Sequence, residues 1–310
     1  MKIVVTGALG HIGSRLIRDL PFSFRKCEII MVDNMMTQRF CSLFNLPKEG
    51  KYRFIEADIT QMELLPLLEG VEVVVHLAAI TDAVGSFDRA ALVEENNYQG
   101  TRRIAEACIK SGVRLITLSS TSVYGTQAEK VDEDCPKEEL KPQSPYAVTK
   151  LKEERLVQQL VRDRGLRANI FRFGTIFGAS PGMRFHTSVN KFCWQAAMGI
   201  PITVWSTAYD QKRPYLDLGD AVRAVTFAIK KDLLKGLIYN VVTENATVRQ
   251  VVDAIRVHIP GLEVKFVDSP IMNQLSYEVL NKRFAKAGFR VSGNLAKGIA
   301  ESVNLLKNTN

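Results

Sequence analysis

Near its start the chain sets an apolar, β-branched run, Lys2–Thr6, directly before Gly7-Ala8-Leu9-Gly10-His11-Ile12-Gly13, then repeats apolar residues at Ile12, Leu16, Ile17 and Leu20. The run suits a strand and the later spacing one face of a helix. Glycine between them has a physical reason. It permits a tight turn, lets backbone approach a pyrophosphate, and lets the helix pack closely on the strand, with the phosphates at the helix N-terminus. The glycines recur every third residue rather than in the simplest fingerprint, but they stand between strand and helix, as such a site requires. This segment therefore predicts the first βα unit of an open parallel sheet, with a dinucleotide against Gly7, Gly10, His11, Ile12 and Gly13.

A second apolar run, residues 27–32, ends at Asp33-Asn34, about twenty residues past the glycine turn. A carboxylate there accepts hydrogen bonds from the adenosine ribose and repels an extra phosphate, which favours NAD over NADP, although Arg39 is near in sequence. Residues 52–57 read as a third strand leading to Asp58-Ile59-Thr60, where Asp58 either meets the adenine amino group or caps a helix starting at Gln61. Residues 71–77 are almost unbroken apolar sequence, as expected of a central strand covered on both faces. The run ends in His76-Leu77-Ala78-Ala79, where small residues let backbone lie against a cofactor, and His76 reads as a packed strand residue. A helix is expected over 96–111, with Asn97 at its start either as a cap or shaping the site.

Residues 113–118 form a further buried strand, running from Leu118 into Ser119-Ser120-Thr121-Ser122. Hydroxyls at the carboxyl end of a strand face the ligand crevice of an open α/β sheet, so Ser120, or else its neighbour Thr121, is placed to meet substrate. Further on, Ser144 reads as an N-cap and Pro145 as the first residue of a helix reaching residue 164 and stopped by Gly165. Tyr146 and Lys150 are one turn apart on that helix, where an ammonium favours the ionised phenol and makes Tyr146 a candidate general base. Alone, the pair also fits an ordinary surface helix.

Taken together, Gly7/Gly10/Gly13, Asp33, Asp58, His76-Leu77-Ala78-Ala79, Asn97-x-x-Gly100-Thr101, Ser119-Ser120-x-x-x-Tyr124-Gly125 and Tyr146-x-x-x-Lys150 resemble the extended short-chain dehydrogenase/reductase family, specifically its NAD-dependent epimerase and dehydratase group. The resemblance implies a Rossmann-type doubly wound parallel α/β sheet with a smaller C-terminal α/β substrate-binding domain. Residues 1–178 and 219–242 then form the NAD-binding domain, and 179–218 and 243–310 the substrate domain. It also implies Tyr146 as base, Lys150 on the nicotinamide ribose, Ser120 on the reacting hydroxyl, NAD lying along Asp33, Asn34, Asp58, Ile59, Leu77, Ala78, Ala79, Asn97 and Leu118, and a homodimer.

The second half departs further from that pattern. Thr175, in Arg172-Phe173-Gly174-Thr175-Ile176-Phe177-Gly178, stands where similar chains usually carry asparagine, so an altered substrate contact is expected. Arg184 precedes a helix running through Asn190 to residue 198 and either contacts phosphate or caps its loop. Arg213 resembles the arginine that grips a nucleotide-sugar diphosphate, a job suited to the fixed donors of a guanidinium. Asp220 reads as the cap of a helix over 221–230, and Thr247 as that of one over 248–258. A strand over 262–267 and a helix over 280–287 complete a small lid, in which Tyr277 is a candidate sugar contact and Leu275 replaces a residue that is often basic.

Composition narrows the function classes. At 310 residues, 46% hydrophobic and 24% charged, the chain can bury a large core. The longest apolar stretch, 71–80, falls short of the roughly 20 residues that span a bilayer, and no apolar signal core precedes the first strand, so a cytoplasmic protein is expected. The net charge of +8 is spread over helix faces, which argues against nucleic acid, and the 5 cysteines show no metal-binding spacing. A 4-epimerase of a nucleoside-diphosphate sugar is the leading expectation. A 4,6-dehydratase is disfavoured because Thr121-Ser122 stand where the family's dehydratases carry Asp-Glu, and a decarboxylase because Ser122 replaces its glutamate. A dehydrogenase or reductase would use the same three groups, whereas a non-catalytic NAD sensor could dispense with Tyr146 and Lys150.

Overall fold

The computed structural model describes residues 1–81, 85–125, 129–268 and 276–307. Strand β1 (Lys2–Thr6) feeds α1 (His11–Ser23), followed by β2 (Glu28–Asp33), β3 (Lys51–Glu56) and β4 (Val73–His76). Helix α2 (Ala90–Glu94) then passes through one π turn, Glu95–Gln99, into α3 (Gly100–Ser111). Next come β5 (Arg114–Ser120), the short β6 (Lys130–Val131), α4 (Pro145–Arg164), β7 (Ala168–Phe173) and β8 (Thr175–Phe177). The remainder comprises α5 (Ser188–Ala197), β9 (Ile202–Trp205), β10 (Lys212–Asp217), α6 (Leu218–Lys230), β11 (Ile238–Val241), β12 (Glu244–Thr247), α7 (Val248–Arg256), β13 (Val264–Val267), β14 (Glu278–Val279), α8 (Lys282–Lys286) and α9 (Leu295–Lys307).

Seven strands form one sheet in the order β11-β7-β5-β4-β1-β2-β3, and every pairing is parallel. From β1 the chain builds outward through β2 and β3, then crosses back to β4 and β5 on the other side. That reversal opens the ligand crevice beyond the carboxyl ends of β1 and β4. This is a Rossmann-type α/β fold.

Successive strand residues point to opposite faces, so both faces of a covered sheet must be apolar. Ile3 and Val5 join Leu16, Ile17 and Leu20 of α1 and Val222 and Val225 of α6 in one layer. Val4 and Val74 join Ile104 and Cys108 of α3 and Val157 and Leu160 of α4 in the other. Each such side chain contributes about 1.5–3 kcal/mol on full burial. A third core, with Phe177, Val189, Phe192, Val251, Ile255, Ile299 and Val303, ties α5, α7 and α9 to β8. Among the described residues no helix is long and apolar enough to cross a membrane, and no three His, Cys, Asp or Glu side chains are grouped to hold a metal.

Three local expectations are corrected. No helix begins at Gln61: Asp58 accepts hydrogen bonds from the Thr60 N–H (2.8 Å) and hydroxyl (2.7 Å), closing a turn, and Pro66 opens only a short 3-10 turn, Pro66–Leu68. Asn97 caps nothing, because the helical segment starts earlier, at Ala90, and Asn97 is buried within its π turn. Asp217, rather than Asp220, caps α6, accepting from the Gly219 (2.8 Å) and Asp220 (3.1 Å) N–H groups. Buried Asp220 instead receives Arg223 of its own helix, the Thr243 hydroxyl, and the Ser292 and Gly293 N–H groups, the last two supplied by the returning C-terminal segment.

Candidate active site

The glycine turn is as tight as its sequence requires. Gly7 sits at φ 65°, and a Cβ there would come 2.6 Å from the Ala78 nitrogen, while one on Gly13 would collide with the Gly7 carbonyl. Asp33, at the end of β2, accepts the Leu9 N–H of the same turn (3.1 Å) and the Met35 N–H (3.0 Å). Asn34 donates to Asp58 (3.4 Å). Burial disfavours the Asp58 carboxylate, but hydrogen bonds from Thr60 and Asn34 more than offset it and hold its pKa below the usual value. Together with Gly10, His11, Ile12 and Ile59, these groups line a cleft of about 430 Å³. A dinucleotide fits this wall: bare backbone at the turn, and carboxylates where β2 and β3 end.

Neighbouring groups fix that wall. The His11 ring nitrogen Nε2 lies 2.8 Å from the Gly178 carbonyl and therefore carries its proton; burial pulls its pKa down to about 4, leaving the ring neutral. Thr6 Oγ1 accepts the Ala78 N–H (3.3 Å) and shares a hydrogen bond with Nδ1 of His76 (2.7 Å), a ring that burial holds neutral with a pKa of about 3. The backbone of Leu77, Ala78 and Ala79 is thus set along the cleft. Asn97 acts behind it, accepting from the Ile80 N–H (2.8 Å) and donating to the Ile80 carbonyl (2.9 Å).

At the β5 side, Leu118 and Ser120 meet Tyr146 and Lys150 in the same cleft. The Ser144 hydroxyl caps α4 by accepting the Ala147 N–H (3.2 Å), Pro145 opens the helix, and Gly165 at φ 69° ends it. Ser120 Oγ accepts from the N–H (3.1 Å) and hydroxyl (2.9 Å) of Ser122, and its hydroxyl pulls the Tyr146 pKa down. Lys150 Nζ lies 5.9 Å from the Tyr146 ring centroid. Burial pushes the phenol pKa up, against the pull of Lys150, Arg184 and Ser120, so the ammonium opposes the desolvation cost without cancelling it. Burial also works against the Lys150 charge, but Glu153 and Tyr146 outweigh it and the ammonium is held above its usual pKa.

Residues of the second half divide into two groups. Thr175, Arg184 and His186 line the cleft; Arg184 donates to the Thr81 hydroxyl and lies 2.9 Å from His186 Nε2. Asn190 stands behind them, accepting the Gly178 N–H (3.2 Å) and donating to the Arg184 carbonyl (3.2 Å). The Thr121 hydroxyl turns to the Phe173 carbonyl (3.4 Å), so Ser120 and not Thr121 faces the cleft. Buried Tyr277 donates to the Thr121 carbonyl (3.3 Å), and Arg213 donates to Gln211 (2.7 Å) and the Lys212 carbonyl (3.2 Å); neither lines the cleft, nor does Asn97. Leu275 lies outside the described residues. Cleft residues that the sequence did not single out include Thr81 and His186. Glu153, just behind Lys150, was missed as well, although its position three residues after Lys150 places both on one helix face.

Comparison with known proteins agrees with this geometry. An uncharacterized UDP-glucose epimerase, YtcB, of Bacillus subtilis is 34% identical over 265 residues, covering 82% of this chain and 81% of its own length. The structure of UDP-glucuronic acid 4-epimerase from Bacillus cereus, in complex with UDP-glucuronic acid and NAD, superposes with a TM-score of 0.87 at 25% identity, covering 100% of both chains. MoeE5 in complex with UDP-glucose and NAD gives 0.84 at 27% identity, covering 100% of this chain and 99% of that one. The profile of the NAD dependent epimerase/dehydratase family matches residues 3–241, the stretch that carries the glycine turn, Ser120, Tyr146 and Lys150. With its dinucleotide cleft and these residues in one place, the chain belongs to the NAD dependent epimerase/dehydratase family and takes NAD as its cofactor.

Proposed function

We propose that this enzyme is a 4-epimerase of a nucleoside-diphosphate sugar, oxidising C4 transiently and reducing it on the opposite face. One observation carries this reading within the family. The carboxylates among the described residues lining the cleft are Asp33 and Asp58, on the β2 and β3 side, whereas its β5 end, where Tyr146 and Lys150 also lie, offers the hydroxyls of Ser119, Ser120 and Ser122. Elimination of water would call for a carboxyl acid and base beside Ser120, and hydroxyls cannot serve as that pair near neutral pH. Epimerisation needs only one base and the hydride carrier.

NAD, held by the glycine turn, Asp33 and Lys150, supplies the reversible hydride acceptor and a positively charged ring when bound. Tyr146 takes the proton of the sugar hydroxyl and returns it. Ser120, beside Tyr146 in the cleft lining, orients that hydroxyl. Lys150 stabilises the phenolate across the turn. Arg184 and His186 face an anionic part of the substrate, a phosphate or a sugar carboxylate, and Arg213 of β10 grips the diphosphate once its side chain leaves Gln211 and the Lys212 carbonyl. Residues 1–178 with 219–242 serve as the cofactor domain, the rest closes over the sugar, and the active form is a homodimer. The experiment is to incubate the purified enzyme with UDP-glucose, UDP-glucuronic acid and their GDP, dTDP and CDP counterparts, with and without added NAD. A C4 epimer formed without net NADH supports the reading; stoichiometric NADH, or loss of water from the sugar, contradicts it.

A further inference from the structure

Behind Lys150 lies a group that the proposed chemistry does not use. The Lys150 ammonium is 3.0 Å from Oε2 of Glu153, and both side chains are only 6% exposed. The Thr101 hydroxyl, from α3, donates to that same oxygen at 2.8 Å. The other oxygen, Oε1, is buried with no hydrogen-bond partner. A carboxylate with one bare oxygen is costly to bury: burial raises the Glu153 pKa, and Lys150 and Thr101 pull it back without cancelling that.

The spacing gives this arrangement a consequence. Tyr146, Lys150 and Glu153 follow at four and three residues along α4, which stacks them on one stripe of the helix. Lys150 therefore sits between two groups that compete for its charge. The other ionisable groups near this stripe are accounted for. Glu154 is engaged by Arg172 of β7, His76 of β4 is neutral, and Arg184 acts on Tyr146 from the segment after β8. We propose that Glu153 is the positioning residue of the site: with Thr101 it aims the Lys150 ammonium and shares its charge, thereby setting the pH at which Tyr146 gives up its proton. This rests on the assignment of Tyr146 as the base, but not on which sugar is turned over.

The test reads the phenol directly. Ultraviolet difference titration of the NAD-bound enzyme, with the Tyr146→Phe enzyme subtracted as background, follows ionisation of Tyr146 without any substrate. Glu153→Gln keeps an oxygen for Thr101 and Lys150 but removes the charge that competes for the ammonium. The phenol is expected to ionise roughly one to two pH units lower, as for loss of one charge about 6–12 Å away at an effective dielectric of about 20. The acidic limb of kcat/KM against pH should move with it for whichever nucleotide sugar is turned over, and KM should change little. Should that variant not fold, Glu153→Asp, which draws the charge back by one methylene, is expected to give a smaller shift in the same direction. A phenol titration unchanged in either folded variant overturns the proposal, and marks Glu153 as packing only. Absence of turnover with every sugar alongside a shifted phenol would contradict the epimerase assignment and leave this one standing.

Discussion

The Glu154 carboxylate takes two hydrogen bonds from the Arg172 guanidinium, 2.8 Å from Nε to Oε1 and 2.6 Å from Nη2 to Oε2, with both side chains almost wholly buried. Arg172 also donates to the Tyr124 hydroxyl at 2.9 Å and stacks over its ring. The pair fastens α4, which carries Tyr146, to β7 beneath it. Truncating one member leaves the other charged and buried. Glu154→Ala is therefore expected to cost about 3–5 kcal/mol of stability, read from urea unfolding, whereas exposed pairs such as Arg15 with Asp19 should matter by less than about 1 kcal/mol.

Replacing Tyr146 by Phe removes the proposed proton acceptor and keeps the ring. Turnover should fall roughly a hundredfold to ten-thousandfold, with the melting temperature and bound NAD retained. A variant that keeps near-normal turnover would mean that another group takes the proton.

Gly7→Ala should expel the cofactor. The backbone at φ 65° costs an L side chain about 1–3 kcal/mol, and the added methyl meets the Ala78 backbone at 2.6 Å. The predicted readout is loss of copurifying NAD together with a lower melting temperature; a variant retaining both would refute the placement of the turn.

Two buried histidines predict the sign of the acid response. An unfolded histidine titrates near 6.5, whereas His11 is drawn down to about 4 and His76 to about 3 by burial. Between about 6.5 and those values the unfolded chain binds protons that the folded chain refuses, so stability falls as pH falls, by up to about 1.4 kcal/mol per pH unit for each ring. Urea midpoints taken from about pH 7 to about pH 5 should show a shallower decline for His11→Asn, which keeps a donor for the Gly178 carbonyl. Parallel declines would contradict this.

What the sequence disclosed, and what it hid, divides by range. The glycine turn, Asp33 and the Tyr146-Lys150 spacing are local devices, each demanded by backbone geometry or helix period, and they lie together in the cleft. The unbroken apolar runs of β1 and β4 announced a sheet covered on both faces for the same reason. Asp220 was misread because its partners, Ser292 and Gly293, arrive from the far end of the chain. Asn97 was ambiguous because the π turn around it follows from tertiary packing and leaves no periodic trace. Thr121 and Ser120 are equivalent in a run of hydroxyls until the turn after β5 directs one to the Phe173 carbonyl and leaves the other lining the cleft. Helix α9, by contrast, was legible in the spacing of Leu295, Ile299 and Val303, and was overlooked.

The most direct test of the account follows the hydrogen at C4. A nucleotide sugar carrying deuterium at that carbon, turned over by the NAD-bound enzyme, should yield the 4-epimer with the label retained at C4 and no free NADH, and Tyr146→Phe should block the conversion. Transfer of the label to NADH released in solution, or a keto product that has lost water, would contradict it.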